Sequence, residues 1–105
     1  MDGDRTARPL DVARRAAGFL PVHEVTALLP DVRVLDPGSV LIGAGVTVLP
    51  GAVLYPSTTL ETRDGGLISV ASGARLGPGP VTIVASAATV HVGEDAELGP
   101  GPVTI

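Results

Sequence analysis

The sequence predicts an all-β fold: a parallel β-helix of about three coils, preceded by a short N-terminal helical cap. Three observations carry that expectation. The 105 residues include 14 Gly and 10 Pro, which excludes a helical bundle because both residue types destabilise helix interiors. The chain is nevertheless 45% hydrophobic with a mean hydropathy of +0.43, which excludes a disordered composition. Finally, the sequence repeats on itself at a fixed interval, the signature of a stacked architecture.

The interval is 22. Ala74-Arg75-Leu76-Gly77-Pro78-Gly79-Pro80-Val81-Thr82-Ile83 recurs from Ala96 to Ile105 with nine identities in ten. The same spacing aligns Val46, Ile68 and Val90, then Val48, Val70 and Val92, then Ala52, Ala74 and Ala96. It also aligns Leu54, Leu76 and Leu98, and Pro56, Pro78 and Pro100. Within each unit runs a finer step of six: Ile42, Val48, Leu54 and Leu60, with the small residues Val46, Ala52 and Thr58 four places after the first three. An aliphatic residue every sixth position suits a coil with three flat sides, its side chain filling the prism. Gly and Pro supply the corners. Three sides of six use 18 residues, so four remain. Arg63-Asp64-Gly65-Gly66 places that surplus as an excursion over Thr62–Gly66, and in the next unit over Ala85–Ala88.

Residues 1–33 form the N-terminal part, and 34–105 the repeat. Met1–Pro9 reads as a flexible start. Asp11–Ala17 is rich in helix formers and Gly18 is a stop, so a short helix is expected over Leu10–Phe19, with a further helical turn over Val25–Leu29 before Pro30. This segment is expected to cap the lower coil. At the other end the sequence stops within a strand at Ile105, with no capping segment.

Charge narrows the function classes. The net charge is −4, there is no Lys, and the seven Arg residues form no stripe among almost no aromatics, which argues against nucleic-acid binding. The absence of Cys rules out disulfides and thiolate metal sites and fits the cytoplasm. Pro37–Leu60 carries no charge, but three Pro and four Gly would break a membrane helix repeatedly. Arg14-Arg15 ahead of Ala16-Ala17-Gly18-Phe19-Leu20 has the outline of an export signal. The apolar run ends at His23-Glu24, however, and Asp2, Asp4 and Asp11 stand where positive charge is required.

Val34-Leu35-Asp36-Pro37, then Ile42, Val46, Val48, Leu54-Tyr55-Pro56, Thr58 and Leu60 resembles the start of the β-helix in the bifunctional bacterial enzymes that make UDP-N-acetylglucosamine. In those, a uridylyltransferase domain precedes a hexapeptide-repeat acetyltransferase domain. The resemblance covers about Val34–Leu60 in detail and the rest as generic repeat. It implies a left-handed helix with three-sided coils, a homotrimer, acetyl-CoA or another acyl-CoA as donor, and a sugar or nucleotide sugar as acceptor. Neither the family's nucleotide-binding domain nor its catalytic coils align with this sequence, so no catalytic position transfers.

His91 is the one histidine in the repeat. Hexapeptide acyltransferases use such a residue as general base, and Glu94 and Asp95 follow closely enough to orient it. The alternative is a surface residue beside inward-facing Val92. His23-Glu24 opens like a zinc-protease motif, but Ala27 stands where the second histidine is needed, so no metal site is expected. Gly77-Pro78-Gly79-Pro80 and its copy at Gly99 imitate a phosphate loop, yet proline offers no N–H and no Lys follows; they read as coil corners. Arg63-Asp64 reads as a solvated turn or a ligand contact, and Tyr55 as an edge residue or core. Three readings stay open: a reduced sugar-nucleotide or acyl-CoA-dependent transferase, a non-catalytic assembly or interaction module, and a truncated piece of a longer enzyme.

Overall fold

A computed structural model describes residues 11–29 and 31–105. The expected flexible start and the first residue of the expected helix lie outside them. Helix α1 occupies residues 11–16 and α2 Val22–Thr26. Eleven strands follow: β1 (Arg33–Val34), β2 (Leu41–Ile42), β3 (Val46–Val48), β4 (Val53–Leu54), β5 (Thr58–Arg63), β6 (Leu67–Val70), β7 (Arg75–Leu76), β8 (Val81–Ser86), β9 (Thr89–Val92), β10 (Glu97–Leu98) and β11 (Val103–Thr104).

The strands sort into three parallel sheets, β1-β4-β7-β10, β2-β5-β8-β11 and β3-β6-β9, one on each side of a parallel β-helix of about three coils. Alternation within each short strand sends every second side chain inward. Leu54, Leu60, Val70, Leu76, Val81 and Ile83 are fully buried, and Val92 is nearly so. Leu98 and Val48 pack on that core from partly exposed positions. The columns Val48/Val70/Val92 and Leu54/Leu76/Leu98 are therefore aligned as the repeat demands. No single coil could enclose them, so each rung depends on the next.

Register departs from a uniform 22 on two sides, since β1 pairs with β4 at 20, as in Val34↔Leu54. The β3-β6-β9 sheet, the β4-β7-β10 ladder and the β8–β11 pair keep it, as in Val70↔Val92 and Val81↔Val103. However, β5 pairs with β8 at 23, as in Thr58↔Val81, and β2 with β5 at 18, as in Ile42↔Leu60. Nor does the surplus protrude: Thr62 and Arg63 extend β5 along its whole pairing with β8, leaving only a tight turn at Asp64 and Gly65, both at positive φ. Backbone pairing over six residues satisfies more N–H and C=O groups than a solvated loop would.

The cap is built differently from the expected pair of helices. α1 ends by residue 16, and Phe19 forms an antiparallel bridge with Gly43. α2 begins three residues before Val25, directly after Pro21, whose fixed φ suits a helix entrance. The Asp11 carboxylate accepts from the free Val22 N–H at 3.2 Å. Val25 is fully buried and closes the lower end of the core.

Candidate functional site

The β9 sequence Thr-Val-His-Val alternates, so Val90 and Val92 turn inward and His91 outward. The ladder stacks Thr47, Ser69 and His91 in one outward row. His91 Nδ1 lies 3.3 Å from Ser69 Oγ and the ring is exposed. Glu94 and Asp95 sit on the adjoining corner. Asp95 adopts φ 57° and lays its carboxylate over Gly73, where any Cβ would collide with it. Among the described residues, neither carboxylate hydrogen-bonds the His91 ring. The sequence brought the three together along the chain; the corner lays the Asp95 carboxylate over Gly73 instead.

Arg63 and Asp64 border a shallow groove of about 320 Å³ between this turn and Ala44-Gly45 of the coil below. Their charges are engaged nearby. Arg63 pairs with Glu61, Asp64 accepts from the Ser86 hydroxyl at 3.2 Å, and the Thr62 hydroxyl donates to the Ala44 carbonyl. The groove is thus polar at its rim, with the Arg63 charge paired and the Asp64 carboxylate held by a neutral hydroxyl. A second groove of about 310 Å³ runs beside α1, lined by Ala13, Ala17, Phe19 and Leu41.

The Gly-Pro corners are structural. The Gly77 N–H donates upward to Leu98 O at 2.7 Å and the Gly101 N–H to Pro78 O at 3.0 Å, so these amides serve the ladder and not an anion. Tyr55 is half-buried and covers Gly77, which has φ 124°; a Cβ there would overlap the Tyr55 side chain. Thr58 is fully buried, its hydroxyl donating to Tyr55 O at 2.7 Å, which satisfies the tight corner from within. His23 and Ala27 flank the end of α2. Among the described residues no cluster of three or more His, Asp or Glu is placed to hold a metal.

Arg14 entered the sequence reading only as half of an export-signal outline, and its structural role was missed. It is buried to 8% exposure and donates to four carbonyls: Nη1 to Val40 O at 3.0 Å and Leu20 O at 3.3 Å, and Nη2 to Gly38 O at 2.8 Å and Pro37 O at 3.4 Å. An arginine one residue from another on a short helix carries no signal of partners more than twenty residues away.

Among the described residues no helix is long and apolar enough to cross a membrane. No protein-family model, no curated protein and no solved structure matches the chain.

Proposed function

We propose that this chain is a hexapeptide-type, left-handed β-helix domain related to the sugar-nucleotide and acyl-CoA-dependent transferases, acting as an assembly or interaction module. The observation that carries this reading is the setting of His91: exposed, on a flat strand face, touching one serine hydroxyl, with Glu94 and Asp95 on the adjoining corner. A general base needs an acceptor held against it, and a flat strand face holds none. By contrast, the row Thr47-Ser69-His91 is free of carboxylates and arginines, and so is the outward row Leu41-Thr59-Thr82-Thr104, with the paired Glu61 and Arg63 further along that second face. Such faces suit packing of prism against prism, and a homotrimer in the cytoplasm is the assembly proposed. Sedimentation at micromolar concentration tests it, together with calorimetry against acetyl-CoA. Three-chain mass without acetyl-CoA binding supports the module; a stable monomer, or one that binds acetyl-CoA, overturns it.

One contact favours the catalytic reading as the alternative. Ser69 Oγ against His91 Nδ1 fixes one ring nitrogen and leaves the other open for a sugar or nucleotide-sugar acceptor, with an acyl-CoA as donor. Under that reading His91→Ala abolishes acyl transfer while β-type circular dichroism persists. Unchanged turnover in that variant removes His91 from the mechanism.

A further inference from the structure

The lower edge of β2 is held by a strap, and the hydrogen bonds of that strap specify what can replace it. Along a strand, residues two apart turn their backbone polar groups to the same side. Gly43 donates upward to Leu60 O at 2.8 Å, so the carbonyls of Val40 and Ile42 and the Ala44 N–H turn down, while the Ala44 carbonyl takes the Thr62 hydroxyl of the next coil. Each downward group is met by the N-terminal segment. Arg14 Nη1 donates to Val40 O at 3.0 Å, the Leu20 N–H donates to Ile42 O at 2.8 Å, and the Ala44 N–H donates to Gly18 O at 3.3 Å. The strap thus runs antiparallel to β2 and is centred on the Phe19–Gly43 bridge.

Its attachment is narrow. Within residues 11–18 Arg14 is the one buried side chain, while Val12 is 62% exposed and Gly18 turns at φ 87°. The second half of the cap is anchored separately, through buried Pro21 and Val25. The strap can therefore lift from Arg14 to Leu20 with the loss of one partly buried core contact, that of Leu20, while Pro21 and Val25 stay seated.

We infer that this strap is an autoinhibitory cover, and that its replacement is the same β2 edge of a second copy of this chain, related by a two-fold axis. The edge accepts an antiparallel strand, and two identical edges meet antiparallel across a two-fold. Residues 18–20 stand where residues 42–44 of the second copy would lie. With Gly43 facing Gly43, each Ala44 N–H donates to the other copy's Ile42 carbonyl, in the same pattern the strap now makes. Glycine at the centre puts no side chain between the two strands where the approach is closest. A strand edge left uncovered is a template for such pairing. This inference is independent of the proposed trimer, because the trimer uses the sides of the prism and this contact its lower rim.

The test compares full-length wild type with Arg14→Ala and with Leu20→Pro, by sedimentation and by hydrogen exchange. Leu20→Pro deletes the strap donor and the Leu20 side chain's packing on the core, but leaves Arg14 and its bonds to Val40, Gly38 and Pro37 in place, whereas Arg14→Ala leaves Leu20 in place. The expected result is a mass twice that of wild type at the same micromolar concentration, whether wild type is one chain or three. The Ala44 amide should be protected at high concentration and exposed on dilution. Adding Ala44→Pro, which deletes the edge N–H ahead of positive-φ Gly45, a place where turns accept proline, should return the mass to the wild-type value. A variant with intact β-type circular dichroism but wild-type mass throughout overturns the inference, as does doubling that survives Ala44→Pro. Exchange on wild type tests the latch without any substitution: the Leu20 amide must exchange faster than those of β5, and equal rates overturn it.

Discussion

Leu76→Ala tests the architecture most directly. Leu76 is fully buried, with Leu54 of the coil below, also fully buried, on one side and Leu98 on the other. Truncation to alanine removes three carbons, about 2.4 kcal/mol of transfer free energy at roughly 0.8 kcal/mol per methylene. The neighbours cannot slide freely into the gap, because Leu54 is pinned by strands on both sides, β1 and β7, and Leu98 by its pairing with β7. A cavity term therefore adds to the transfer term, giving a total of about 3–5 kcal/mol, the upper part of the range for such changes. Against a typical domain stability of roughly 5–15 kcal/mol this is a large fraction. The melting temperature should fall by at least about 12 °C. Urea unfolding at fixed protein concentration measures it, with the slope unchanged. Leu98→Ala, at a partly exposed position, should cost about half as much. A loss below about 0.5 kcal/mol for Leu76→Ala would mean that the column is not a core, and the solenoid would fall with it.

Thr58→Val should cost about 1 kcal/mol by urea unfolding, since it keeps the shape of a fully buried side chain but strips the hydrogen bond to the Tyr55 carbonyl. Thr58→Ser keeps that bond and should recover part of the loss. Gly77→Ala should cost roughly 2–5 kcal/mol by calorimetry, because it combines backbone strain at φ 124° with collision against Tyr55. Gly65→Ala, at φ 76° but in open space, should cost only about 1–2 kcal/mol. Arg63→Ala should change stability by less than about 0.5 kcal/mol, because its pairing with Glu61 is exposed to solvent.

The inward columns were legible because burial selects aliphatic residues at every second strand position and stacking selects them again at every coil. Leu54, Leu76 and Leu98 declare both rules at once. The register was less legible, since a constant spacing of 22 conceals two changes that cancel. Four residues, Gly77 to Pro80, join β7 to β8 where three, Tyr55 to Ser57, join β4 to β5. Two residues, Ala87 and Ala88, join β8 to β9 where three, Asp64 to Gly66, join β5 to β6. One residue gained at one corner is returned at the next, so the side between them slips to 23 while the others keep 22. Self-alignment measures only the sum. The cap was harder still: Arg14 works through carbonyls from Leu20 to Val40, a partnership that only the fold creates. For His91, the sequence placed the side chain outward correctly, while the positive-φ corner at Asp95 lays that carboxylate over Gly73 and not on the ring.

The geometry of a prism constrains what either functional reading can mean. A coil stacked on coils has a filled interior and flat sides, so it cannot enclose a substrate in the way a cleft between layers does. The two grooves found here lie where something breaks that regularity, at the Asp64–Gly65 turn and beside α1. An acyl-transfer site using His91 would therefore need a wall from another copy, laid against the Thr47-Ser69-His91 row. Catalysis and assembly are then not independent alternatives, because activity at His91 requires association along that face, whereas association requires no activity. Introducing a charge into the row separates them. Thr47→Glu places a carboxylate two rungs from His91, roughly 9–10 Å away at the usual strand spacing, too far to replace the ring's Ser69 contact. If that face is the interface, Thr47→Glu should split the assembly to single chains and remove any acyl transfer with it. If the assembly survives, the β2-β5-β8-β11 face becomes the interface, and Thr82→Glu should split it instead.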